Sequence, residues 1–141
     1  MYTTLVTSQD QALCHLYFHC CLKDGMLTET ETDALAERFV TLGLQKNINI
    51  KNEMNAYRSY KNHIIDETIY LEHLLRLINP TNELALYSHC VDLTLSDELL
   101  DESEENFLKK LATILQIDEQ KQNVIKNLEV ERKVVETKKI I

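Results

Sequence analysis

The chain has 141 residues, of which 44% are hydrophobic and 27% charged, and it contains only two glycines and one proline. Glycine at about 7% and proline at about 5% are average, so this scarcity argues against a turn-rich β architecture, and a length within the usual range of roughly 100 to 200 residues predicts a single domain over 1–141. The net charge of −8 argues against a nucleic-acid-binding protein, because phosphate backbones attract basic surfaces.

The first third of the chain predicts a helical hairpin. A helix over 9–23 contains no breaker and has apolar residues on more than one face, so it should be largely buried. Asp24 and Gly25 form a turn, and a second helix over 28–42 ends at Gly43.

The middle of the chain is harder to divide into elements. A helix is expected to begin near Ile50, and a later one to begin at about Asp66 and end at Asn79. Apolar residues at a spacing near 3.6 mark both helices: Tyr57, Tyr60, Ile64, Ile65, Ile69, Leu71, Leu74, Leu75 and Ile78. The pattern leaves open whether a break separates the two helices.

Three further helices are predicted in the last part of the chain. Pro80 is placed as the first residue of one, Asp101 caps another that reaches Gln116, and Asp118 caps the last. The segment 129–141 mixes charges with β-branched residues, and its structure is left open. The prediction is an all-α bundle of about seven helices.

An internal repeat relates the two halves of the chain. A shift of 73 residues superposes 13–44 on 86–117, with eight identities in 32 positions. The identical pairs are Leu13 and Leu86, Leu22 and Leu95, Asp24 and Asp97, Leu27 and Leu100, Glu29 and Glu102, Glu31 and Glu104, Leu35 and Leu108, and Leu42 and Leu115. Neither hairpin can bury its apolar face alone, so we expect the two to pair around a pseudo-two-fold axis.

The repeat also carries a resemblance to a known family. A helix ending in Asp24-Gly25, an aliphatic residue at Leu27 and an acid at Glu31 resembles the signature of TerB-like domains of tellurite-resistance proteins. The match continues through Leu35, Gly43 and Leu44 and recurs at Asp97, Leu100, Glu104, Leu108 and Ile117. The resemblance implies a single bundle of about seven helices without established enzymatic activity. It also implies a stress-linked binding module, with membrane-associated protein partners in some members and divalent cations at the acidic turns.

Four carboxylates are the candidate metal ligands: Asp24, Glu31, Asp97 and Glu104. Ca²⁺ and Mg²⁺ prefer several oxygen ligands, which these residues would supply if the two turns face each other. The segment 97–105 contains six carboxylates and no Lys or Arg, so a bound cation would relieve its repulsion.

The same acids also fit a role in helix capping. Thr28 with Glu31, and Asp101 with Glu104, have the spacing of a capping box, in which the acid reaches back to the backbone amide of the cap. Acids in a first turn also favour the helix dipole. The sequence leaves both interpretations open.

Histidines and cysteines on the first helix raise the alternative of a zinc site. His15 and His19 stand four residues apart, with Cys14 and Cys20 beside them. The favoured interpretation is that all four cysteines, including Cys21 and Cys90, are reduced and buried. Three tyrosines are expected to pack with their hydroxyls at the edge of the core: Tyr57, Tyr60 and Tyr70.

The sequence therefore predicts a non-enzymatic binding or adaptor module with an unidentified protein partner. The start MYTTLVTSQDQ has no signal-peptide pattern and no run is long enough to span a membrane, so a cytoplasmic location is expected. One alternative is a structural or homo-oligomerisation module that uses 129–141. Another is a metal-dependent hydrolase that uses the same carboxylates.

Overall fold

The computed structural model describes residues 2–22, 29–44, 48–95 and 102–137, and the side chains of all of these except 29–32, 34 and 132–137. Of the described residues, 84% are helical and none lies in a strand, which confirms the all-α prediction. In chain order the helices are α1 Tyr2–Leu5, α2 Gln9–Leu22, α3 Glu29–Leu42, α4 Ile50–Tyr60, α5 Glu67–Ile78, α6 Glu83–Thr94, α7 Glu102–Ile114 and α8 Glu119–Thr137. Helix α1, a single turn, was not predicted.

The chain forms two compact units, Met1–Pro80 and Thr81–Ile141. Helix α5 ends at its C-cap Asn79, which has a left-handed backbone and donates its N–H to the carbonyl of Leu75. Helix α6 begins at Glu83 because the Asn82 side chain accepts from the N–H of Ala85. The prediction that Pro80 starts this helix is therefore wrong, since the N-cap lies two residues further on.

Helix α2 is the interior helix of the first unit, as predicted. Every residue from 14 to 22 is buried, and α2 contacts α3, α4 and α5. A helix buried on all sides must place even its polar residues in the core. The two histidines of α2 therefore need hydrogen-bond partners from the neighbouring helices.

A break does separate α4 from α5. Helix α4 continues into a 3₁₀-helical turn, Lys61–His63, and the chain is extended at Ile64 before Asp66 caps α5 by accepting from two backbone N–H groups. Within this connection Ile65 is 100% exposed, and Ile69 on α5 is also exposed. The assignment of Ile65 to a helical apolar spacing is wrong, because this residue lies in the connection between the two helices. Ile69 does belong to α5, as expected, although its side chain is exposed.

The internal repeat extends to the ends of the helices. Helices α3 and α7 begin 73 residues apart, and shortly beyond their ends Gly43 (φ 69°) and Gln116 (φ 60°) share the same offset and a left-handed backbone. Leu44 and Ile117 come next and are both buried. The leucine equivalence is incomplete, since Leu42 is exposed.

The second unit is built around α6, which contacts α7 and α8. Helix α8 begins with the predicted cap, where Asp118 accepts from the N–H of Lys121 at 2.8 Å. It continues to Thr137, so the backbone of most of the segment 129–141 is helical. Glu129 on α8 is buried and accepts from the Ser88 hydroxyl at 3.4 Å.

Candidate functional site

The predicted acidic site lies mostly outside the described residues. Asp24 and Asp97 are not described, and Glu31 is the third residue of α3 with its side chain outside the description. Glu104 is the third residue of α7 and is partly buried. The caps proposed for these acids, Thr28 and Asp101, are likewise outside the described residues. The cation-binding and capping interpretations therefore both stay predictions.

The strongest polar cluster in the described part of the chain is a different one, inside the first unit. It contains the two histidines of α2 and is made of two chains of hydrogen bonds that join α2 to α4 and α5. We call them the His15 bridge, consisting of Glu53, His15, Tyr60 and Tyr70, and the His19 bridge, consisting of Glu67, His19 and Tyr57.

The His15 bridge runs from the edge of the unit into its core. Glu53 Oε1 lies 2.8 Å from His15 Nε2, and His15 Nδ1 lies 2.6 Å from the Tyr60 hydroxyl, which lies 2.5 Å from the Tyr70 hydroxyl. The imidazole and the Tyr60 ring are within 7° of parallel. The Glu53 side chain is 14% exposed, and the other members are fully buried.

The His19 bridge repeats this arrangement one turn further along α2. Glu67 Oε2 lies 2.7 Å from His19 Nε2, and His19 Nδ1 lies 2.9 Å from the Tyr57 hydroxyl. Glu67 is the first residue of α5, and its side chain is 16% exposed. Each buried imidazole thus lies between a tyrosine in the core and a carboxylate that reaches solvent.

The partners determine where the protons lie. A carboxylate only accepts hydrogen bonds, so the Nε2 of each histidine carries a hydrogen and donates it to glutamate. In a neutral imidazole Nδ1 then accepts, which makes Tyr60 the donor to His15 and Tyr57 the donor to His19. The Tyr60 oxygen in turn accepts from Tyr70. With this assignment every polar group of the bridges is satisfied.

Burial controls the ionisation of the His15 bridge. It lowers the pKa of His15, although the hydrogen bond and charge of Glu53 act in the opposite direction. Burial also raises the pKa of Tyr60 and Tyr70 well above that of an exposed phenol. The pKa of the neighbouring Cys14 thiol is raised for the same reason, with a smaller effect from Glu53. The imidazole of His15, the phenols of Tyr60 and Tyr70 and the thiol of Cys14 are therefore mainly neutral at pH 7.

The hydrogen bonds of the two bridges argue against a zinc site at His15 and His19. Both nitrogens of each imidazole already have tyrosine or glutamate partners. Among the described residues, no three His, Cys, Asp or Glu side chains are placed to hold a metal ion. Cys14 and the three other cysteines are buried and form no disulfide bond, which confirms their prediction as core residues.

Sequence reasoning found the two histidines but not their partners. The spacing of Glu53, Tyr57 and Tyr60 places all three on one face of α4, which is the signal that could have indicated a polar seam. The prediction that the tyrosine hydroxyls lie at the edge of the core is wrong. The hydroxyls of Tyr57 and Tyr60 point inward to the buried imidazoles of His19 and His15, and the Tyr70 hydroxyl points inward to that of Tyr60.

Tyr2 of α1 covers the inner end of the His15 bridge. Its ring centroid lies 4.9 Å from that of Tyr70 and 5.9 Å from that of Tyr60, and the side chain is half-buried. The carbonyl of Val6, the residue after α1, accepts a hydrogen bond from Nε2 of His73 on α5 at 3.0 Å. Tyr2 therefore extends the cluster formed by Tyr57, Tyr60 and Tyr70 from the core to the surface.

Comparison with known proteins identifies the family. The model of the family described as tellurite resistance protein TerB matches residues 10–127, which include both predicted acidic turns. Neither curated proteins nor solved structures gave a match. Among the described residues, no helix is both long and apolar enough to cross a membrane. The TerB family is not a known family of enzymes. The all-α fold and the match over most of the chain show that this protein belongs to the TerB family.

Proposed function

We propose that this protein is a non-enzymatic TerB module that acts in a cytoplasmic stress response by binding a protein partner. We propose further that it binds Ca²⁺ or Mg²⁺ through Asp24, Glu31, Asp97 and Glu104. The observation that carries the proposal is the family match, which spans both copies of the acidic turn.

The helix boundaries support an equivalent role for the two acidic turns. Glu31 and Glu104 are each the third residue of their helices, α3 and α7. Equivalent positions at two helix starts would present two similar sets of oxygen ligands. The six carboxylates of 97–105 have no basic residue among them, so their mutual repulsion favours a bound cation.

The chemistry of the first unit favours binding over catalysis. A metal-dependent hydrolase needs an open metal position and a nearby base. His15 and His19 are buried, and both nitrogens of each ring are engaged in the bridges. Burial also raises the pKa of Cys14, which disfavours the thiolate that a nucleophile requires.

Two substitutions separate cation binding from helix capping. Gln can replace Glu in a capping box, but as a neutral amide it binds Ca²⁺ or Mg²⁺ far less well. Millimolar Ca²⁺ or Mg²⁺ should therefore raise the unfolding midpoint of the wild-type protein. At an ion concentration a hundred times the dissociation constant, the free energy of unfolding should increase by about 2.7 kcal/mol. Glu31→Gln and Glu104→Gln should lose this increment in thermal unfolding measurements.

The controls address screening and capping. Monovalent salt at matched ionic strength measures the stabilisation that comes from screening 97–105 alone. Thr28→Ala should cost about 1 kcal/mol with or without divalent ions if Thr28 is an N-cap. A divalent-specific shift that survives in both Gln variants would contradict the assigned ligands. Its absence from the wild-type protein would contradict cation binding itself.

A further inference from the structure

We propose that Tyr60 and Tyr57 are redox-active tyrosines, each of which gives one electron to a one-electron oxidant while its phenolic proton passes to the histidine of its bridge. The product on each tyrosine is a neutral tyrosyl radical. This activity is independent of the acidic turns and uses only residues of the first unit.

The step balances within each bridge. For Tyr60, the O–H bond breaks, a new N–H bond forms at His15 Nδ1, and the oxidant gains the electron. The 2.6 Å separation of the two atoms already forms the hydrogen bond along which the proton moves. The resulting imidazolium keeps its hydrogen bond to Glu53, which supplies the opposite charge 2.8 Å from Nε2. Reduction of the radical by a one-electron donor returns the proton to the phenol.

Burial makes the histidine necessary for this chemistry. A phenol that loses an electron in a desolvated site must also lose its proton, because the interior does not stabilise the cation. Burial raises the pKa of Tyr60, so the phenolate is not available beforehand. Burial lowers the pKa of His15, so the imidazole is neutral and its Nδ1 is ready to accept.

The oxidant does not have to enter the core. The ring centroids of Tyr57 and Tyr60 are 5.4 Å apart, those of Tyr60 and Tyr70 are 5.7 Å apart, and those of Tyr70 and Tyr2 are 4.9 Å apart. Half-buried Tyr2 brings this series of rings to the surface. These ring contacts give an electron from Tyr57 or Tyr60 a short path to the surface, while the proton moves only to the histidine of each bridge.

The second unit provides a matched control in Tyr87. Its side chain is also fully buried, and burial raises its pKa to about 12. Within the part of the chain that the structure describes, its hydroxyl has no hydrogen-bond partner. A radical at Tyr87 would leave its proton without an acceptor, so we do not expect the oxidised state to settle there.

The experiment oxidises the full-length protein with azide radicals and detects tyrosyl radicals by transient absorption and by electron paramagnetic resonance of frozen samples. We expect a long-lived tyrosyl signal in the wild-type protein, loss of most of that signal in the Tyr57→Phe/Tyr60→Phe double variant, and an unchanged signal in Tyr87→Phe. Formation of the radical should be slower in D₂O, because an O–H bond breaks in the same step.

Two further variants keep the test decisive if the double variant does not fold. His15→Gln and His19→Gln retain both tyrosines but replace the base with an amide, and circular dichroism reports whether each remains folded. Loss of the long-lived signal in folded Gln variants supports the proposal, since a purely structural role for the bridges would not change the radical yield. An equal signal in the double variant, or in both Gln variants, would overturn it.

Discussion

At His15 the cost of burying an imidazolium exceeds the attraction of a nearby carboxylate. Glu53 is hydrogen-bonded to the ring and favours its protonation, yet the pKa of His15 is lowered because burial has the larger effect. Around the ring, α4 contributes Glu53 and Tyr60, α5 contributes Tyr70 beyond Tyr60, and α2 itself contributes Cys14. The balance at this single residue connects the stability of the first unit to pH.

The pH dependence of stability follows from the direction of this shift. Because the pKa of His15 is lower in the folded state than its ordinary value of 6.5, the unfolded chain binds the proton more readily. The contribution of neutral His15 is complete above pH 6.5 and declines as the pH falls toward the folded pKa. We expect the free energy of unfolding to fall in this window, by at most about 1.4 kcal/mol per pH unit for one proton.

Denaturant unfolding at a series of pH values measures this slope. His15→Gln should reduce the slope, whatever it does to the absolute stability, because the titrating group is gone. His63→Gln serves as the matched control, since it also removes one histidine but lies on the exposed 3₁₀-helical turn, outside both bridges. An identical slope in His15→Gln and the wild-type protein would contradict the prediction.

At the scale of the element, the two copies of the repeat end their second helices with the same backbone but different residues. Gly43 follows α3 with φ 69°, and its N–H donates to the carbonyl of Val40 at 3.2 Å. Gln116 lies two residues beyond the end of α7 with φ 60°, and its N–H donates to the carbonyl of Thr113 at 3.2 Å. Glycine adopts this conformation without strain, whereas a residue with Cβ does not.

Exchanging the residue types at these two positions should therefore have effects of opposite sign. A Cβ at Gly43 would meet no atom within 4 Å, so Gly43→Ala should cost only the backbone strain, about 1 kcal/mol. Gln116→Gly should stabilise the protein by less than about 1 kcal/mol, because the relief of strain is partly offset by the entropy of glycine in the unfolded chain. Thermal and denaturant unfolding of both variants provide the comparison, and effects of the same sign would contradict it.

At the scale of the whole molecule, the described chain consists of two compact units, Met1–Pro80 and Thr81–Ile141. Each unit has an interior helix, α2 in the first and α6 in the second. A unit of about 60 residues buries only about 60% of the surface of its unfolded chain and is marginally stable alone. The predicted single domain and the two compact units therefore lead to different expectations for unfolding.

Scanning calorimetry of the full chain tests this organisation. A single domain should unfold in one transition, with equal calorimetric and van't Hoff enthalpies. Two resolved transitions, or a calorimetric enthalpy well above the van't Hoff value, would show that the units unfold independently and would contradict the single-domain prediction.

Local signals in the sequence determined much of the secondary structure. The beginning of α4 at Ile50, the N-caps Asp66 and Asp118, and the end of α3 at Gly43 all depend on residues within a few positions of one another. The burial of α2 followed from its apolar residues on every face. The repeat offset of 73 residues relates the beginnings of α3 and α7 and the left-handed residues Gly43 and Gln116.

Tertiary structure decided which face of each helix is buried and which side chains come into contact. Ile65 and Ile69 fit an apolar period in the sequence, yet Ile65 lies in the connection between α4 and α5, and both side chains are exposed. His15 meets Glu53 and Tyr60, which lie 38 and 45 positions away along the chain. The sequence by itself determined where helices form, since capping and periodicity act within one or two turns. The two bridges exist only because three helices pack together, and burial then requires that every polar group at their contact has a partner.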